Sequence, residues 1–342
     1  MLFKRPIIPA TTITRSWLYC LHQQQRNLPK IPTTTTRLVS ITSYSTYSHQ
    51  QQHGKQQYPI ISFIGGGNMA EAIMGGLQAS GHPGSHLRFT EPLTERRRQL
   101  ESKYPTLVGF DENEQAVEGA NVVVLAVKPQ VLRNVMTTLA PSLTKDSSTL
   151  IISIAPGITT SDMVQWLRDA TQEKTATAAI VRCMPNTPAL IGEGAVGLYA
   201  SEAVTDEQRQ TAVSIMHAFA KEVSWVTNES MMETVTGISG SGPAYFFLIM
   251  EAMQNAAVKA GLIPEVAKAL TLQTCLGAAR MAQESDDDLA TLRRKVTSPK
   301  GTTEAAINSL ESNHIRKIME EAVLTAQQRG HEIAEELRQH QE

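Results

Sequence analysis

The glycine run near residue 65 has the residue types and spacing of a pyrophosphate-binding turn. Residues 60–64 form a short apolar run, and Gly65-x-Gly67-x-x-Ala70 follows it, just before a stretch with helical periodicity. Gly65 permits a tight turn, Gly67 lets the backbone approach a phosphate without a Cβ clash, and Ala70 lets the helix pack close to the strand. The free N–H groups at the helix start would then bind the pyrophosphate of a dinucleotide. The alternative is a glycine turn that only joins strand to helix.

The next strand, expected over residues 87–90, ends at side chains that bear on the choice of dinucleotide. Glu91 stands where a carboxylate accepts from a ribose 2′-hydroxyl, which favours NAD(H). Arg96, Arg97 and Arg98 follow one turn later and can pair with a 2′-phosphate, which favours NADP(H), unless they form a solvated helix face. Thr90 can donate to either cofactor. We expect NADPH as the cofactor, with NADH as the alternative.

A third strand ends in Ala126-Val-Lys-Pro129, which we expect to border the nicotinamide. Residues 122–127 are continuously apolar, as in a strand that is buried on both faces. In a doubly wound sheet, ligands lie beyond the carboxyl ends of the strands. A cation at Lys128 suits the positioning of phosphate or ribose better than proton donation. The alternative is a solvated loop lysine.

Three further runs combine small, hydroxyl-bearing and turn-forming residues. They are residues 182–188 (RCMPNTP), 237–245 (GISGSGPAY) and 296–303 (VTSPKGTT). The last two run straight into predicted helices, so each can offer free backbone N–H groups to an anion. Taken alone, each is also explained as a simple helix cap.

These motifs need a scaffold, and the order of the predicted elements indicates an α/β fold in two parts. Helical stretches separate apolar runs at residues 59–64, 87–90, 121–127, 149–154, 178–182 and 194–199, which predicts a Rossmann-type, doubly wound parallel sheet. Beyond about residue 226 we expect helices alone, over residues 243–260, 264–283, 287–295, 302–310 and 313–329. We therefore expect a dinucleotide-binding domain over residues 58–225 and an all-helical dimerisation and substrate-binding domain over residues 226–342. Several of these helices are apolar all round, which indicates cover by a second subunit.

The composition is that of a globular protein and argues against several classes of function. Of 342 residues, 41% are hydrophobic and 19% are charged. The three cysteines show neither zinc-ligand spacing nor an even set for disulfides, and we expect no metal. Seven basic and no acidic residues lie within the first 57, so the remainder is more acidic than the net charge of −2 implies. An acidic body argues against nucleic acid as a partner. There is no run of about 18 apolar residues, so we expect no membrane span.

Residues 1–57 read as a leader that precedes the ordered chain. The segment is basic, free of acidic residues and rich in Thr, Ser and Gln, which is typical of a mitochondrial transit peptide. The alternative is an unstructured polar tail without an address. We expect the mitochondrial matrix as the location, with the cytoplasm as the alternative.

In this order and spacing, the glycine turn, the Ala126-Val-Lys-Pro129 strand end and the three runs resemble pyrroline-5-carboxylate reductase over about residues 60–329. That family reduces the cyclic imine 1-pyrroline-5-carboxylate to L-proline with NADPH or NADH, the last step of proline biosynthesis. The resemblance implies that the cofactor is lined by Ile64, Gly65, Gly66, Gly67, Asn68, Met69, Thr90, Glu91, Asn113, Ala126, Val127, Lys128 and Pro129. It implies that the substrate is bound by Ser298, Gly301, Thr302 and Thr303, with Thr303 hydrogen-bonded to the ring nitrogen as the catalytic residue.

The resemblance also implies homodimers that can build larger rings, with the substrate site at the dimer interface. A protonated imine is already a strong hydride acceptor, so the chemistry needs orientation rather than a metal or a covalent nucleophile. Lys300 departs from the family pattern, which usually has a small residue there, commonly Gly. Its side chain either strengthens carboxylate binding or points to solvent.

Two other functions share parts of this pattern. A hydroxyacid dehydrogenase of the 6-phosphogluconate type has the same two-domain plan, but it relies on a Lys followed by Asn. Here Lys259 and Lys268 are each followed by Ala. A non-catalytic dinucleotide sensor would keep the glycine turn but need not keep Ser298 and Thr303.

Overall fold

The computed structural model describes residues 58–144, 148–173 and 177–339. The predicted leader, residues 1–57, lies outside these ranges and stays a prediction. The described chain contains one sheet of eight strands in the spatial order β3-β2-β1-β4-β5-β6-β7-β8. The strands are β1 (Ile61–Ile64), β2 (Leu87–Thr90), β3 (Val108–Phe110), β4 (Val122–Leu125), β5 (Leu150–Ser153), β6 (Ala179–Met184), β7 (Gly194–Ala200) and β8 (Ala220–Trp225). The order 3-2-1-4-5-6 is that of a Rossmann domain, so the predicted fold class is confirmed.

Helices cover both faces of this sheet. They are α1 (Asn68–Ala79), α2 (Thr94–Lys103), α3 (Asn113–Val117), α4 (Pro129–Leu143), α5 (Thr160–Thr171) and α6 (Asp206–His217). Side chains of the central strands alternate between two buried layers. Val122 and Val124 pack in the layer that holds α1 and α6, whereas Val123 and Leu125 pack against α4 and α5. Each such side chain contributes about 1.5–3 kcal/mol on burial, which explains the continuous apolar run of β4 and the largely apolar β1 and β5.

The sheet departs from the predicted all-parallel arrangement at β7. This strand pairs antiparallel with β6, with Arg182 opposite Tyr199, and β8 then pairs parallel with β7. The connection over residues 185–193 contains only a short 3-10 turn, Thr187–Ile191. Because a parallel crossover requires about a dozen residues, this connection is too short for one, and the chain reverses instead.

Beyond β8 the described chain is helical. Its elements are α7 (Met231–Val235), α8 (Gly242–Lys259), α9 (Pro264–Glu284), α10 (Leu289–Lys295), α11 (Thr302–Ser312) and α12 (Ile315–Gln339). The last strand ends at Trp225, close to the predicted domain boundary at residue 226, which itself stays a prediction. None of the helices in the described ranges combines the length and apolar character of a membrane span.

Large apolar side chains lie exposed along α8 and α9. Phe247 is 64% exposed, and Leu270 is 56% exposed. Within α8, Gly242 is the one residue that is buried by the described chain, and within α9 only Ala267 and Thr271 are. A soluble monomer rarely leaves so large a contiguous apolar face uncovered, so a second surface is expected there.

The carboxyl-terminal helix α12 returns from this helical region to the sheet. Ala334 and Leu337 are buried, and Leu337 belongs to the core layer formed by α4 and α5. Arg338 Nε lies 3.3 Å from Asp162 Oδ2 at the start of α5. The end of α12 therefore completes the core beside β5 and α5.

Candidate active site

The glycine turn between β1 and α1 is seated on the carboxyl end of β4. Gly65 has φ +104°, and a Cβ there would lie 2.9 Å from the carbonyl oxygen of Ala126. The Ala126 N–H donates to the Ile64 carbonyl (2.9 Å), and the Gly65 N–H donates to the Thr90 carbonyl (3.1 Å). Both the positive φ and the close approach require glycine at this position. The structure thus brings the predicted cofactor residues of β1, β2 and β4 together.

Open space lies over Gly67, at the start of α1. A Cβ on Gly67 would meet no protein atom within 4 Å, and its backbone has ordinary values of φ −67° and ψ 177°. No side chain caps this helix start, and Asn68 is exposed while Met69 is half-buried. The first N–H groups of α1 can therefore bind an anion, helped by the helix dipole.

Thr90 and Asn113 meet at the ends of neighbouring elements. The Thr90 hydroxyl donates to Asn113 Oδ1 (2.7 Å). Thr90 closes β2 and is buried, and Asn113 begins α3. These two predicted cofactor residues thus form one polar corner at the edge where the carboxyl ends of the parallel strands lie.

The Glu91 carboxylate is engaged by backbone groups of its own chain. Oε2 accepts from the Gly66 N–H (3.1 Å) and Oε1 accepts from the Leu93 N–H (3.0 Å). The residue is only 8% exposed. Each carboxylate oxygen therefore accepts from a backbone N–H group, one in the glycine turn and one at Leu93.

Two of the three arginines that follow Glu91 in the sequence also form contacts within the chain. Arg96 Nε donates to the Gly66 carbonyl (2.9 Å), and its guanidinium pairs with Glu71. Arg97 donates to the Glu91 carbonyl (3.0 Å) and pairs with Asp111 (2.7 Å). Arg98 lies exposed on α2. These contacts of Arg96 and Arg97 within the chain were not predicted from the sequence.

Glu71 anchors this group of charges from the first turn of α1. Burial alone would raise the pKa of the Glu71 carboxyl, but hydrogen bonds from Lys103 and Arg96 lower it below its ordinary value. The Lys103 Nζ lies 2.7 Å from Glu71 Oε1. The carboxylate therefore stays ionised at neutral pH and keeps Arg96 in place.

The carboxyl end of β4 leads directly into α4. Lys128 precedes the helix with an exposed side chain, and Pro129 occupies the first helical position. Proline suits that position because its missing N–H would have no partner in the helix. The turn orients Ala126 and Val127 toward the glycine turn and leaves the Lys128 ammonium at the surface.

The loop before α11 forms a tight turn. The Gly301 N–H donates to the Ser298 carbonyl (3.0 Å), and Lys300 has φ +58°. With Pro299 before it, this is the pattern of a type II turn, whose third residue is normally glycine. The Lys300 N–H donates to Glu304 Oε2 (2.7 Å). Lys300 thus has a backbone conformation that favours glycine, which agrees with the small residue that the resemblance implies at this position.

The start of α11 offers the donors that an acid needs. Gly301 is its N-cap, without a capping side chain, and Thr302 and Thr303 are exposed in the first turn. Since the Gly301 amide is used within the turn and the Ala305 N–H donates to the Gly301 carbonyl, the N–H groups of Thr302, Thr303 and Glu304 have no partner within the helix. Among the described residues, the hydrogen bonds of this loop stay within residues 292–305, and none of them reaches the glycine turn.

The run at residues 182–188 ties the sheet to the helices. Arg182 is buried and its guanidinium lies 2.6 Å from Glu233 Oε1 of α7. Asn186 Nδ2 donates to the Ser239 carbonyl (3.1 Å), and Asn186 Oδ1 accepts from the Ala195 N–H (2.9 Å). These contacts give the run a structural role at the junction.

The run at residues 237–245 does not offer a free helix start, contrary to one of the sequence interpretations. Thr236–Gly240 form a π-helical turn that joins α7 to α8, and the Ser241 N–H donates to the Thr236 carbonyl (2.8 Å). Val235, Thr236 and Ser241 all have right-handed helical conformations. The helical path is continuous, and the Ser241 and Ala244 N–H groups at the start of α8 already have partners. Gly237 is needed because its Cβ would lie 2.8 Å from the Val323 carbonyl oxygen.

These features define a class of protein. A Rossmann sheet, a glycine turn seated on β4 and an uncapped helix start above open space are the parts of a dinucleotide-dependent oxidoreductase. Comparison with known families agrees. Residues 60–157 match the family described as NADP oxidoreductase, coenzyme F420-dependent, and residues 229–333 match the family described as pyrroline-5-carboxylate reductase dimerisation.

Similarity to individual proteins extends over the same region. The chain is 46% identical over 281 residues to a pyrroline-5-carboxylate reductase of Pseudomonas aeruginosa, which covers 82% of this chain and 99% of that one. It is 37% identical over 275 residues to a pea (Pisum sativum) pyrroline-5-carboxylate reductase, covering 80% and 96% of the two chains. The chain belongs to the pyrroline-5-carboxylate reductase family, and the predicted resemblance is confirmed.

Solved structures of the family have the same fold. The Coxiella burnetii pyrroline-5-carboxylate reductase superposes with a TM-score of 0.75 at 43% identity, covering 82% of this chain and 99% of that one. A Plasmodium falciparum pyrroline carboxylate reductase with NADP bound gives a TM-score of 0.68 at 29% identity, covering 81% and 98%.

Proposed function

We propose that this protein is an NAD(P)H-dependent oxidoreductase that reduces 1-pyrroline-5-carboxylate to L-proline, the final step of proline biosynthesis. The observation that carries the proposal is 46% identity over 281 residues to a pyrroline-5-carboxylate reductase, which covers 82% of this chain and 99% of that enzyme. The geometry supports it, because the described chain contains the glycine turn, the Thr90–Asn113 hydrogen bond and the tight turn before α11.

The residues around the glycine turn fit a dinucleotide. The pyrophosphate would lie over Gly67 on the N–H groups of Asn68 and Met69, because that space is open and the helix start is uncapped. The remaining cofactor contacts that we propose are Ile64, Gly65, Gly66, Thr90, Asn113, Ala126, Val127, Lys128 and Pro129. The sequence also suggested Glu91, but its carboxylate accepts from the Gly66 and Leu93 N–H groups instead. NADPH is the proposed cofactor and NADH the alternative. The Plasmodium falciparum relative was solved with NADP bound, which supports NADPH as the cofactor of that relative.

The substrate acid would be held at the start of α11. We place its carboxylate on the N–H groups of Thr302 and Thr303 and on the Ser298 hydroxyl, with Gly301 closing the turn that shapes the site. Backbone donors suit this task because they bind an anion without adding a base that competes for the imine proton. The Thr303 hydroxyl would orient the ring nitrogen.

The reaction then requires little more than alignment. A nicotinamide held at the glycine turn would supply a hydride to C5 of the protonated ring, and the C=N π electrons would pass to the ring nitrogen. The nitrogen would keep the proton with which it arrived, so the immediate product would be the neutral ring amine, which then takes up a proton from solvent. The chain's contribution is to hold the ring against the nicotinamide and to keep the nitrogen near Thr303.

A second copy of the chain completes this arrangement. No hydrogen bond among the described residues joins the loop before α11 to the glycine turn, and apolar side chains such as Phe247 and Leu270 need cover. The match to a dimerisation family over residues 229–333 supports a homodimer. We propose that the substrate loop of one subunit meets the nucleotide site of its partner. Assembly of dimers into a larger ring, the absence of nucleic-acid and membrane partners, and a mitochondrial rather than cytoplasmic location stay predictions.

The function is tested by following NADPH oxidation with 1-pyrroline-5-carboxylate, and in parallel NADP reduction with a 3-hydroxyacid. Turnover of the imine alone is expected. Turnover of the hydroxyacid alone would point to the dehydrogenase alternative, and tight NADPH binding without turnover of either substrate would point to a sensor.

Thr303→Ala tests the substrate site. It is expected to lower kcat/KM about tenfold, the value of one hydrogen bond to a charged group, and not to abolish turnover because the imine arrives protonated. Ser309→Ala, which removes a hydroxyl from the same helix, serves as the control. Wild-type kinetics for the Thr303 variant would remove Thr303 from the site.

A further inference from the structure

The peptide group of Gly66 is held at both of its polar atoms. Its N–H donates to Glu91 Oε2 (3.1 Å), and its carbonyl accepts from Arg96 Nε (2.9 Å). Gly66 is the position between the two glycines of the fingerprint, which the motif itself leaves free. A Cβ there would lie 2.8 Å from Leu100 Cδ1 and 3.1 Å from Glu91 Cβ. Side-chain contacts therefore fix the backbone of Gly66 in the middle of the turn, although the fingerprint specifies no residue type at that position.

The two side chains that hold Gly66 are themselves fixed. The second Glu91 oxygen accepts from the Leu93 N–H (3.0 Å), and the residue is 8% exposed. Arg96 is paired with Glu71, which also receives Lys103 (2.7 Å). Both contacts to Gly66 thus come from side chains with little freedom to move, so the turn is ordered before any cofactor arrives.

We propose that Glu91 and Arg96 are positioning residues, a glycine-turn clamp that presents the start of α1 to the pyrophosphate and does not read the 2′ position of the adenosine ribose. The inference rests on the dinucleotide site of the proposed function. A turn that is held in its bound conformation spares the ordering cost of binding. Since NADH and NADPH share the pyrophosphate and differ only at the 2′ position, the clamp raises affinity for both cofactors by the same factor.

Two variants distinguish this proposal from the alternatives, in which Glu91 binds the ribose 2′-hydroxyl or Arg96 binds the 2′-phosphate. Glu91→Gln keeps the size of the side chain but replaces one acceptor oxygen with an NH2 donor, so one of the two backbone N–H groups loses its partner. Arg96→Met removes the donor to the Gly66 carbonyl. Each is expected to weaken NADPH and NADH binding by about tenfold, with the ratio of the two dissociation constants unchanged within about threefold. Glu95→Gln, which removes an exposed charge from the same helix, is the control and should leave both affinities unchanged.

Dissociation constants for the full chain are measured by quenching of protein fluorescence with NADPH and with NADH. A shift of the ratio by tenfold towards NADPH in Glu91→Gln would show that Glu91 reads the ribose hydroxyl and would overturn the proposal. Loss of NADPH binding alone in Arg96→Met would show pairing with the 2′-phosphate and would equally overturn it. Wild-type affinities for both cofactors in both variants would show that the clamp has no role.

The measurement does not depend on the imine, so a failure of the proposed function is visible separately. A wild-type chain that binds both cofactors without reducing 1-pyrroline-5-carboxylate would refute the function and leave the clamp testable. If Glu91→Gln does not fold, as judged by near-UV circular dichroism, Arg96→Lys gives a milder perturbation. A lysine keeps a cation for Glu71 with a different donor geometry for Gly66, and the same parallel weakening of both cofactors is expected.

Discussion

Replacing Gly67 with valine should remove cofactor binding while leaving the fold intact. The backbone at Gly67 has φ −67° and ψ 177°, which valine adopts without strain, and the new Cβ meets no protein atom within 4 Å. Losing glycine at a helix N-cap costs less than about 1 kcal/mol. The free energy of unfolding is therefore expected to change by no more than that amount.

The loss of binding should be much larger, because the valine methyl groups would occupy the space above the start of α1. A backbone N–H bond to a charged group contributes about 1.5–3 kcal/mol, and the helix dipole adds about 0.3–2 kcal/mol for an anion. Displacing the pyrophosphate from two such N–H groups removes at least about 3 kcal/mol. The dissociation constant for NADPH should rise at least a hundredfold.

Fluorescence titration with NADPH and thermal unfolding of the same samples measure the two effects separately. Gly67→Ala should fall between wild type and valine. Gly65→Ala provides the contrast, since φ +104° and a 2.9 Å approach to the Ala126 carbonyl predict a loss of stability as well. A folded Gly67→Val protein that binds NADPH within threefold of wild type would refute the placement of the pyrophosphate.

Three further predictions concern the turn, the assembly and pH. Lys300→Gly should raise the free energy of unfolding by up to about 1 kcal/mol by relieving φ +58°, with an unchanged KM for the imine; a threefold rise in KM would assign the lysine to substrate binding. Phe247→Glu should shift the protein to monomer in light scattering, whereas Gln99→Glu on α2 should not; dimers in both would place the interface elsewhere. Burial lowers the pKa of His82, so its contribution to the free energy of unfolding is full above about pH 6.5 and is lost as the pH decreases through the lowered pKa. His82→Gln should therefore make the free energy of unfolding, measured by urea titration, depend less on pH. The same pH dependence in the variant and the wild type would contradict the assignment.

Elements with a strong apolar run and a clear stop signal were predictable from the sequence. A helix follows the glycine turn as its periodicity predicted, and the strand over residues 87–90 has the expected bounds, because Gly81 and Pro92 mark where each must end. The short strand β3 and the strand β8 were not foreseen. Val108–Phe110 is only three residues long, and Ala220–Trp225 lies at the sheet edge with exposed Lys221 and Glu222, so neither has a continuous apolar run.

The site was predictable in its residue types but not in its side-chain directions. Sequence spacing placed Glu91 and Arg96 near the adenosine end of the cofactor, yet both side chains turn toward Gly66. That choice depends on rotamers and on the position of Glu71 on another helix, which one-dimensional spacing does not contain. The continuous helix through residues 236–241 escaped prediction for a similar reason, since glycines that serve close packing were interpreted as turn formers.

The end of α12 gives the order of synthesis a structural meaning. Ala334 and Leu337 are buried at the core layer formed by α4 and α5, which also contains Ile64 of β1, at the opposite end of the described chain. During synthesis, this core layer keeps an uncovered apolar seam until residues 334–337 of α12 have emerged from the ribosome. Premature termination before residue 334 would leave that seam open, exposing a surface suited to chaperone capture.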